Sequence, residues 1–143
     1  MEINILHSFT EYPGLRHCSI SDNSGEEFYH LILNKSFYDS LNKNEKLYVD
    51  LDNTGGFASS FLDEAFGNLV YDFTLEKVKN IVEIISIEEP HWKEMIFEKT
   101  FLEWESRRKE KIKPVVTKIH EPWYRIEDNN IVSKIWEYPS VAT

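Results

Sequence analysis

The sequence has little of several features that would place it in a specialised class. Cys18 is the single cysteine, which excludes an internal disulfide and a multi-cysteine metal site and is typical of a reducing compartment. No apolar run approaches the roughly 20 residues that a membrane-spanning helix needs, and residues 1–14 lack the basic and apolar regions of a signal peptide. These absences predict a cytoplasmic protein that does not enter a membrane.

Motifs for nucleotide and hydrolytic chemistry are also missing. The chain has no phosphate-binding P-loop, no G-x-G-x-x-G and no G-x-S-x-G, and its five histidines lack metal-ligand spacing. His17 and Cys18 are adjacent in a predicted strand, so they would point to opposite faces and cannot easily act as base and nucleophile. We therefore expect no catalytic residue, no metal and no cofactor, and a protein that is not an enzyme.

Apolar residues and acidic charge are what the sequence does have. Its 143 residues are 41% hydrophobic and 14% aromatic, which suits one domain with a buried core. The net charge of −9 lies in residues 1–100, with 8 basic against 18 acidic residues, whereas residues 101–143 hold 8 against 7. An acidic body disfavours nucleic acid and favours a cationic protein partner. A basic cluster at residues 107–113 ends a predicted helix, where it compensates the helix dipole.

The order of predicted elements indicates an α/β fold. Residues 2–9 and 15–20 predict a strand hairpin, and Ser24 to Glu27 form a capping box that begins a helix ending near Asn42. Strands are predicted at 46–52 and 81–85. A short helix is predicted at 76–79 and a long helix from Pro90 to about Lys111. Another helix is predicted to begin at Ser59 or Ser60, and its apolar stripe consists of Leu62, Ala65, Phe66, Leu69 and Val70. We expect helices packed on a mixed sheet.

The C-terminal part has a different pattern. We divide the chain into an α/β domain at residues 1–112 and an extension at 113–143, with a strand-like stretch at 115–119 and a β-hairpin that turns at Asp128 to Asn130. Four aromatic residues crowd this hairpin and either pack it onto the domain or offer interface anchors: Trp123, Tyr124, Trp136 and Tyr138.

The most informative segment is YVDLDNTGGFASSFLDEAFGNLV at residues 48–70. A strand leads into a glycine-containing loop, and the loop places Ser59 and Ser60 at a helix start, where free N–H groups favour an anion. Phosphorylation there would add about −1.5 to −2 charges at the positive end of the helix. The simpler interpretation is that these serines cap the helix, while Asp63 and Glu64 in its first turn compensate the dipole.

This segment, with EYPGLR, SGEEF and IISIEEP, resembles the STAS-like domain family of unknown function, a bacterial relative of the anti-sigma-factor antagonists. The similarity covers roughly residues 1–105, and ASSFLDEAFG is its most specific part. The resemblance implies a STAS-like fold and a non-enzymatic regulatory role. In the antagonists, a serine after a central strand is phosphorylated by a GHKL-type ATP-binding kinase, and phosphorylation releases that partner.

The resemblance also implies a site. The antagonist motif Asp-Ser-Ser-Gly falls on Ala58-Ser59-Ser60-Phe61, which makes Ser59 the counterpart of the phosphoserine and Ser60 a second candidate. Alanine and phenylalanine stand here for the acidic residue and the glycine. We expect the loop and helix start from Gly55 to Glu64 to bind a protein partner, through Asp52, Gly55, Gly56, Phe57, Ser59, Ser60, Phe61, Asp63 and Glu64. The sequence leaves the oligomeric state open.

Two other functions stay open. Asp50 and Asp52 share one face of a strand and, with Asp63 and Glu64, could bind Mg²⁺ in a small carboxylate enzyme, although Asp52 before Asn53 and two glycines is also turn chemistry. The chain could instead be an acidic decoy for a basic protein surface, in which case its association rate would fall steeply with salt.

Overall fold

The computed structural model describes residues 1–140, so the last three residues of the predicted extension lie outside the described part. Residues 1–140 form five strands and seven α-helices, and two π-helical segments at Tyr29–Leu33 and Ile96–Thr100 join consecutive helices. In chain order the elements are β1 (Glu2–Asn4), α1 (Ile5–Ser8), α2 (Gly25–Phe28), α3 (Asn34–Lys43), β2 (Leu47–Asp50), α4 (Ser59–Phe73), α5 (Leu75–Ile81), β3 (Val82–Ile85), α6 (His91–Met95), α7 (Phe101–Lys109), β4 (Trp123–Glu127) and β5 (Asn130–Lys134).

The first three strands form a parallel sheet with β2 at its centre. Ile3 lies opposite Val49, and Val49 lies opposite Ile84. All three side chains are buried, as expected for a parallel sheet that is covered by its crossover helices. This confirms the α/β class with helices packed on a sheet, and the antiparallel β4–β5 pair confirms the C-terminal hairpin.

The predicted strand at residues 15–20 is wrong, and the sheet is therefore parallel rather than mixed. This segment forms turns, in which the Ile20 N–H donates to the His17 carbonyl at 3.0 Å. Leu15 and Ile20 are 45% and 64% exposed, so the segment has no buried face that would hold a strand in the sheet. The first strand is also shorter than expected, because the Asn4 side chain accepts the His7 N–H and caps α1.

The prediction of a strand-like stretch at residues 115–119 is also wrong. The segment is irregular and is held by side-chain contacts instead of a ladder. Val116 is buried in the main core, and the Thr117 N–H donates to Glu26 at 2.9 Å. A carboxylate therefore takes the hydrogen bond that a neighbouring strand would have taken.

Helix α2 begins where the sequence predicts. The Ser24 hydroxyl accepts the Glu27 N–H at 3.1 Å, as a helix N-cap does. The helical run continues through the π-helical segment into α3, and Asn44 ends it in a left-handed conformation with φ 53°. The predicted end near Asn42 is within the usual error of helix boundaries.

Helix α4 is the central helix of the fold. The predicted apolar stripe is buried throughout (Leu62, Ala65, Phe66, Leu69 and Val70). The prediction that Ser59 or Ser60 caps the helix is wrong, because Ala58 holds the extended N-cap conformation and no side chain supplies the capping bond. Asp63 and Glu64 consequently lie beyond the first turn, and their charges serve other contacts.

Gly67 lets α7 approach α4 closely. A Cβ atom at this position would lie 2.2 Å from the indole of Trp104, which is 2% exposed. We expect Gly67→Ala to lower the free energy of unfolding by about 1–3 kcal/mol because it overpacks the contact, even though alanine gains about 1 kcal/mol in helix propensity. Urea unfolding measures the change, and adding Trp104→Phe should recover part of it. A Gly67→Ala protein as stable as the wild type would contradict this packing.

The C-terminal hairpin packs on the domain through both apolar and polar contacts. Trp123 belongs to the same buried core as the helices, and the Tyr124 ring stacks on Tyr38 with centroids 3.7 Å apart. Trp136 is half-buried, and its indole N–H donates to the Trp123 carbonyl at 2.9 Å, whereas Tyr138 is 66% exposed. Packing therefore accounts for three of the four aromatic residues. The boundary at residue 112 stays a prediction.

Among the described residues, no helix is both long enough and apolar enough to cross a membrane.

Candidate functional site

The predicted site begins at the carboxyl end of β2, the central strand. Asp52 is buried, and its carboxylate accepts the N–H groups of Ile87 and Glu88 at 3.0 Å each. It thereby fastens the loop after β2 to the loop after β3. Asp52 therefore holds the loop of the site in place, and its buried side chain presents little surface to a partner.

The glycines of the loop have separate structural reasons. The Gly55 N–H donates to the Glu11 carbonyl at 2.7 Å, and a Cβ atom at Gly55 would lie 2.8 Å from the ring of Tyr12. Gly56 has φ +113°, a conformation that other residues rarely adopt. Tyr12 is 69% exposed, so it lies beside Gly55 on the surface, which the sequence did not indicate.

The two phenylalanines of the segment differ in exposure. Phe61 is fully buried and stacks on Phe28, with ring centroids 5.8 Å apart. Phe57 is half-buried, and its ring lies 5.5 Å from that of Phe61. Phe61 thus leaves no side-chain surface for a partner to contact, whereas one side of Phe57 remains accessible.

Ser59 is exposed as the first residue of α4, and Ser60 beside it is half-buried. Both line a small groove of about 180 Å³ between α4 and the π-helical segment before α7. The charged side chains of this groove come from Arg16, Asp63, Lys99 and Glu103. Two cations therefore lie near the serines, within a groove that also carries two carboxylates.

Asp63 and Glu64 are bound to Arg16. The Arg16 guanidinium donates to Asp63 at 2.8 Å and to Glu64 at 3.2 Å, and the indole N–H of Trp104 donates to Asp63 at 3.2 Å. Burial raises the pKa of Glu64, although Asn68 and Arg16 stabilise its charged form. These carboxylates are already paired inside the protein.

The four carboxylates of the Mg²⁺ alternative are not brought together. Asp50 accepts the Asp52 N–H at 2.9 Å, and Asp52 faces the loop after β3, while Asp63 and Glu64 face Arg16. In residues 1–140, three or more metal-ligand side chains gather elsewhere, at Cys18, Glu26 and His120. The arrangement gives the carboxylate enzyme no support.

Glu26 is a further candidate functional residue, which the sequence did not indicate. It is 1% exposed at the start of α2, and its two oxygens accept five hydrogen bonds. The donors are His17 Nδ1 at 3.2 Å, the Cys18 N–H at 3.1 Å, the Thr117 N–H at 2.9 Å, the Thr117 hydroxyl at 2.7 Å and His120 Nε2 at 2.6 Å.

Hydrogen bonding decides the ionisation of Glu26. Burial by itself would raise its pKa, but the bonds from His120, Thr117 and Cys18 hold that pKa well below its ordinary value. Two of the partners lie 91 and 94 residues away along the chain. No local pattern could have shown this cluster, because SGEEF already has a full explanation as a helix start.

His30 extends the cluster toward the hairpin. Its ring stacks on that of His120, with centroids 3.8 Å apart and an interplanar angle of 12°, and meets Trp123 edge-on at 4.5 Å. Burial lowers the pKa of His30 to about 3, so its ring is neutral at physiological pH. The stack therefore holds His120 in place without adding a charge.

The fold and this loop define a small parallel α/β domain with an exposed serine after its central strand. Residues 24–92 match the family model described as the STAS-like domain of unknown function (DUF4325). The match confirms the resemblance over these residues, which include the run ASSFLDEAFG. The comparisons with curated proteins and with solved structures gave no match.

Proposed function

We propose that the protein is a non-enzymatic regulatory module that acts in the bacterial cytoplasm by binding a protein partner. Its docking surface consists of Gly55, Gly56, Phe57, Ser59 and Ser60. The single observation that carries this proposal is the position of Ser59, which is exposed on the first turn of α4 directly after the loop that follows the central strand. Phe61, Asp63 and Glu64 support the surface from within.

The partner that the resemblance favours is a GHKL-type ATP-binding kinase or ATPase, with Ser59 as its target. A phosphate on Ser59 would carry about −1.5 to −2 charges next to the free N–H groups of the first turn of α4, where a negative charge is favoured. Arg16 and Lys99 line the same groove as Ser59 and are the cations that a phosphate there would attract.

Arg16 offers a way for the modification to change the surface. Its guanidinium pairs with both Asp63 and Glu64, and its side chain is 32% exposed. A phosphate on Ser59 competes with these carboxylates for the guanidinium. Because Arg16 belongs to the irregular segment before α2, this competition would shift the backbone that carries Tyr12 beside Gly55.

Co-expression with a GHKL-type ATPase, followed by intact mass measurement and site mapping, tests the modification. We expect one added phosphate on Ser59 and none in Ser59→Ala. Ser59→Asp should weaken partner binding at least about tenfold, since it places a charge in the docking surface.

Ser106→Asp is the matched control, because Ser106 is also an exposed helix serine but lies on α7 and does not line the groove that holds Ser59. It should leave the partner affinity unchanged. An unmodified Ser59 together with equal affinities for Ser59→Asp and the wild type would exclude the phosphoserine switch. Loss of affinity in Phe57→Ala without any phosphorylation would instead support a docking surface that is not switched.

A further inference from the structure

We propose that Cys18, Glu26 and His120 form a zinc-binding site. One ligand atom of each, a sulfur, a carboxylate oxygen and an imidazole nitrogen, lies within 4.8 Å of the other two. Glu26 and His120 are buried, and Cys18 is half-buried. The three residues come from the turn before α2, the start of α2 and the segment before β4, so the fold alone brings them together.

The donor set selects the metal. Thiolate sulfur with imidazole nitrogen and a carboxylate oxygen is the mixture that Zn²⁺ binds in proteins, whereas Mg²⁺ and Ca²⁺ prefer oxygen ligands throughout. Three protein ligands leave a fourth tetrahedral position, as in zinc sites that also hold a water molecule. Of the three ligands, Cys18 is half-buried, whereas Glu26 and His120 are buried.

The surrounding contacts orient the three ligands. Thr117 donates its N–H and its hydroxyl to Glu26, and the Cys18 backbone N–H donates to the same carboxylate. The Cys18 sulfur lies 3.3 Å from the Ser24 hydroxyl. Such outer contacts fix ligand geometry in metal sites, and His30 stacked on His120 holds the imidazole plane.

Zinc enters by replacing protons. His120 Nε2 and Glu26 Oε2 are joined by a hydrogen bond at 2.6 Å. Two bonds of ~2.0 Å at a tetrahedral angle separate such atoms by about 3.3 Å, and the sulfur must come to about 3.5 Å from each. The required movements are therefore on the order of 1 Å. The Cys18 thiol releases its proton to solvent. The proton that His120 Nε2 donates to Glu26 also leaves that nitrogen, and the neutral ring regains one at Nδ1 from solvent, so the metal-bound nitrogen carries none.

The test is a zinc titration of the purified full chain, stripped with a chelator, in competition with a chromophoric chelator. We expect one zinc ion per chain. Cys18→Ser should lower the affinity by more than the roughly 10- to 100-fold that outer-contact changes cause, because it removes a ligand. His91→Gln, which changes an exposed histidine on α6, is the control and should leave the affinity unchanged.

Cobalt supplies a second readout that does not depend on stability. Co²⁺ bound by the wild type should show a thiolate charge-transfer band, which Cys18→Ser abolishes. His120→Gln should weaken zinc binding like Cys18→Ser, with circular dichroism to confirm its fold. Equal zinc affinity of Cys18→Ser and the wild type would overturn the site. So would a wild type that loses all its zinc to a chelator whose dissociation constant is in the micromolar range. Either result would leave Glu26 as the centre of a hydrogen-bonded cluster only.

Discussion

Replacing Arg125 with methionine should lower the free energy of unfolding by about 3–5 kcal/mol, because it leaves a buried carboxylate without its cation. Arg125 Nε lies 2.6 Å from Asp72, which is 2% exposed on α4. The Tyr29 hydroxyl donates to the other oxygen of the same carboxylate. Methionine keeps most of the apolar length of the arginine, so the loss reports the charge rather than a cavity.

Asp72 gives this prediction a pH dependence of known sign. Burial raises its pKa to about 6, against the lowering effect of Arg125. Since the folded pKa lies above the ordinary 3.8, the folded state holds the proton more tightly, and stability rises as pH falls from about 6 toward 4. Without Arg125 the pKa of Asp72 should rise further. The loss of unfolding free energy in Arg125→Met should therefore become smaller as the pH is lowered.

Urea unfolding at pH 8 and pH 5 measures both effects. Adding Asp72→Asn to Arg125→Met is the matched control, because it removes the buried charge and should recover much of the lost stability. The loss of unfolding free energy could instead be equal at the two pH values, or could remain when Asp72→Asn is added. Either result would show that Arg125 acts through packing on Tyr71 and Trp136.

Replacing Glu26 with glutamine should cost about 3–5 kcal/mol when measured in the presence of a chelator. Both carboxylate oxygens accept hydrogen bonds, so a glutamine amide must turn its NH₂ group toward two or three donors. The same substitution releases the segment at residues 117–120 from the start of α2. The C-terminal hairpin should then be cleaved by protease more readily than in the wild type.

The pH dependence of this second effect has the opposite sign. Hydrogen bonds hold the folded pKa of Glu26 below the ordinary 4.5. Its contribution is therefore complete above about pH 4.5 and is lost as the pH falls further. The difference between the wild type and Glu26→Gln should narrow below that pH.

Glu27→Gln is the control for this comparison. It removes the same charge from the same turn of α2 at a half-buried position, and we expect a change within about 0.5 kcal/mol. If the two variants were equally stable, the hydrogen-bonded cluster around Glu26 would contribute nothing beyond the charge of the helix start.

Local sequence patterns were reliable wherever local chemistry decides the structure. Ser24 caps α2 as its spacing to Glu27 indicates, and Asp128 and Asn129 both take positive φ in the hairpin turn, as a two-residue turn requires. The same reasoning failed at residues 15–20, which were predicted as the second strand of a hairpin but form turns. It also failed at Ser59 and Ser60, because a serine near a helix start need not be its cap.

By itself the sequence determined the α/β class, the strand β2 and the apolar stripe of α4, since each follows from short-range spacing. Only the tertiary structure decided that Phe61 is core, that Arg16 holds Asp63 and Glu64, and that Glu26 meets Thr117 and His120. The physical reason is distance along the chain. Contacts between residues 47 to 94 positions apart depend on how whole elements pack, and no local propensity encodes that.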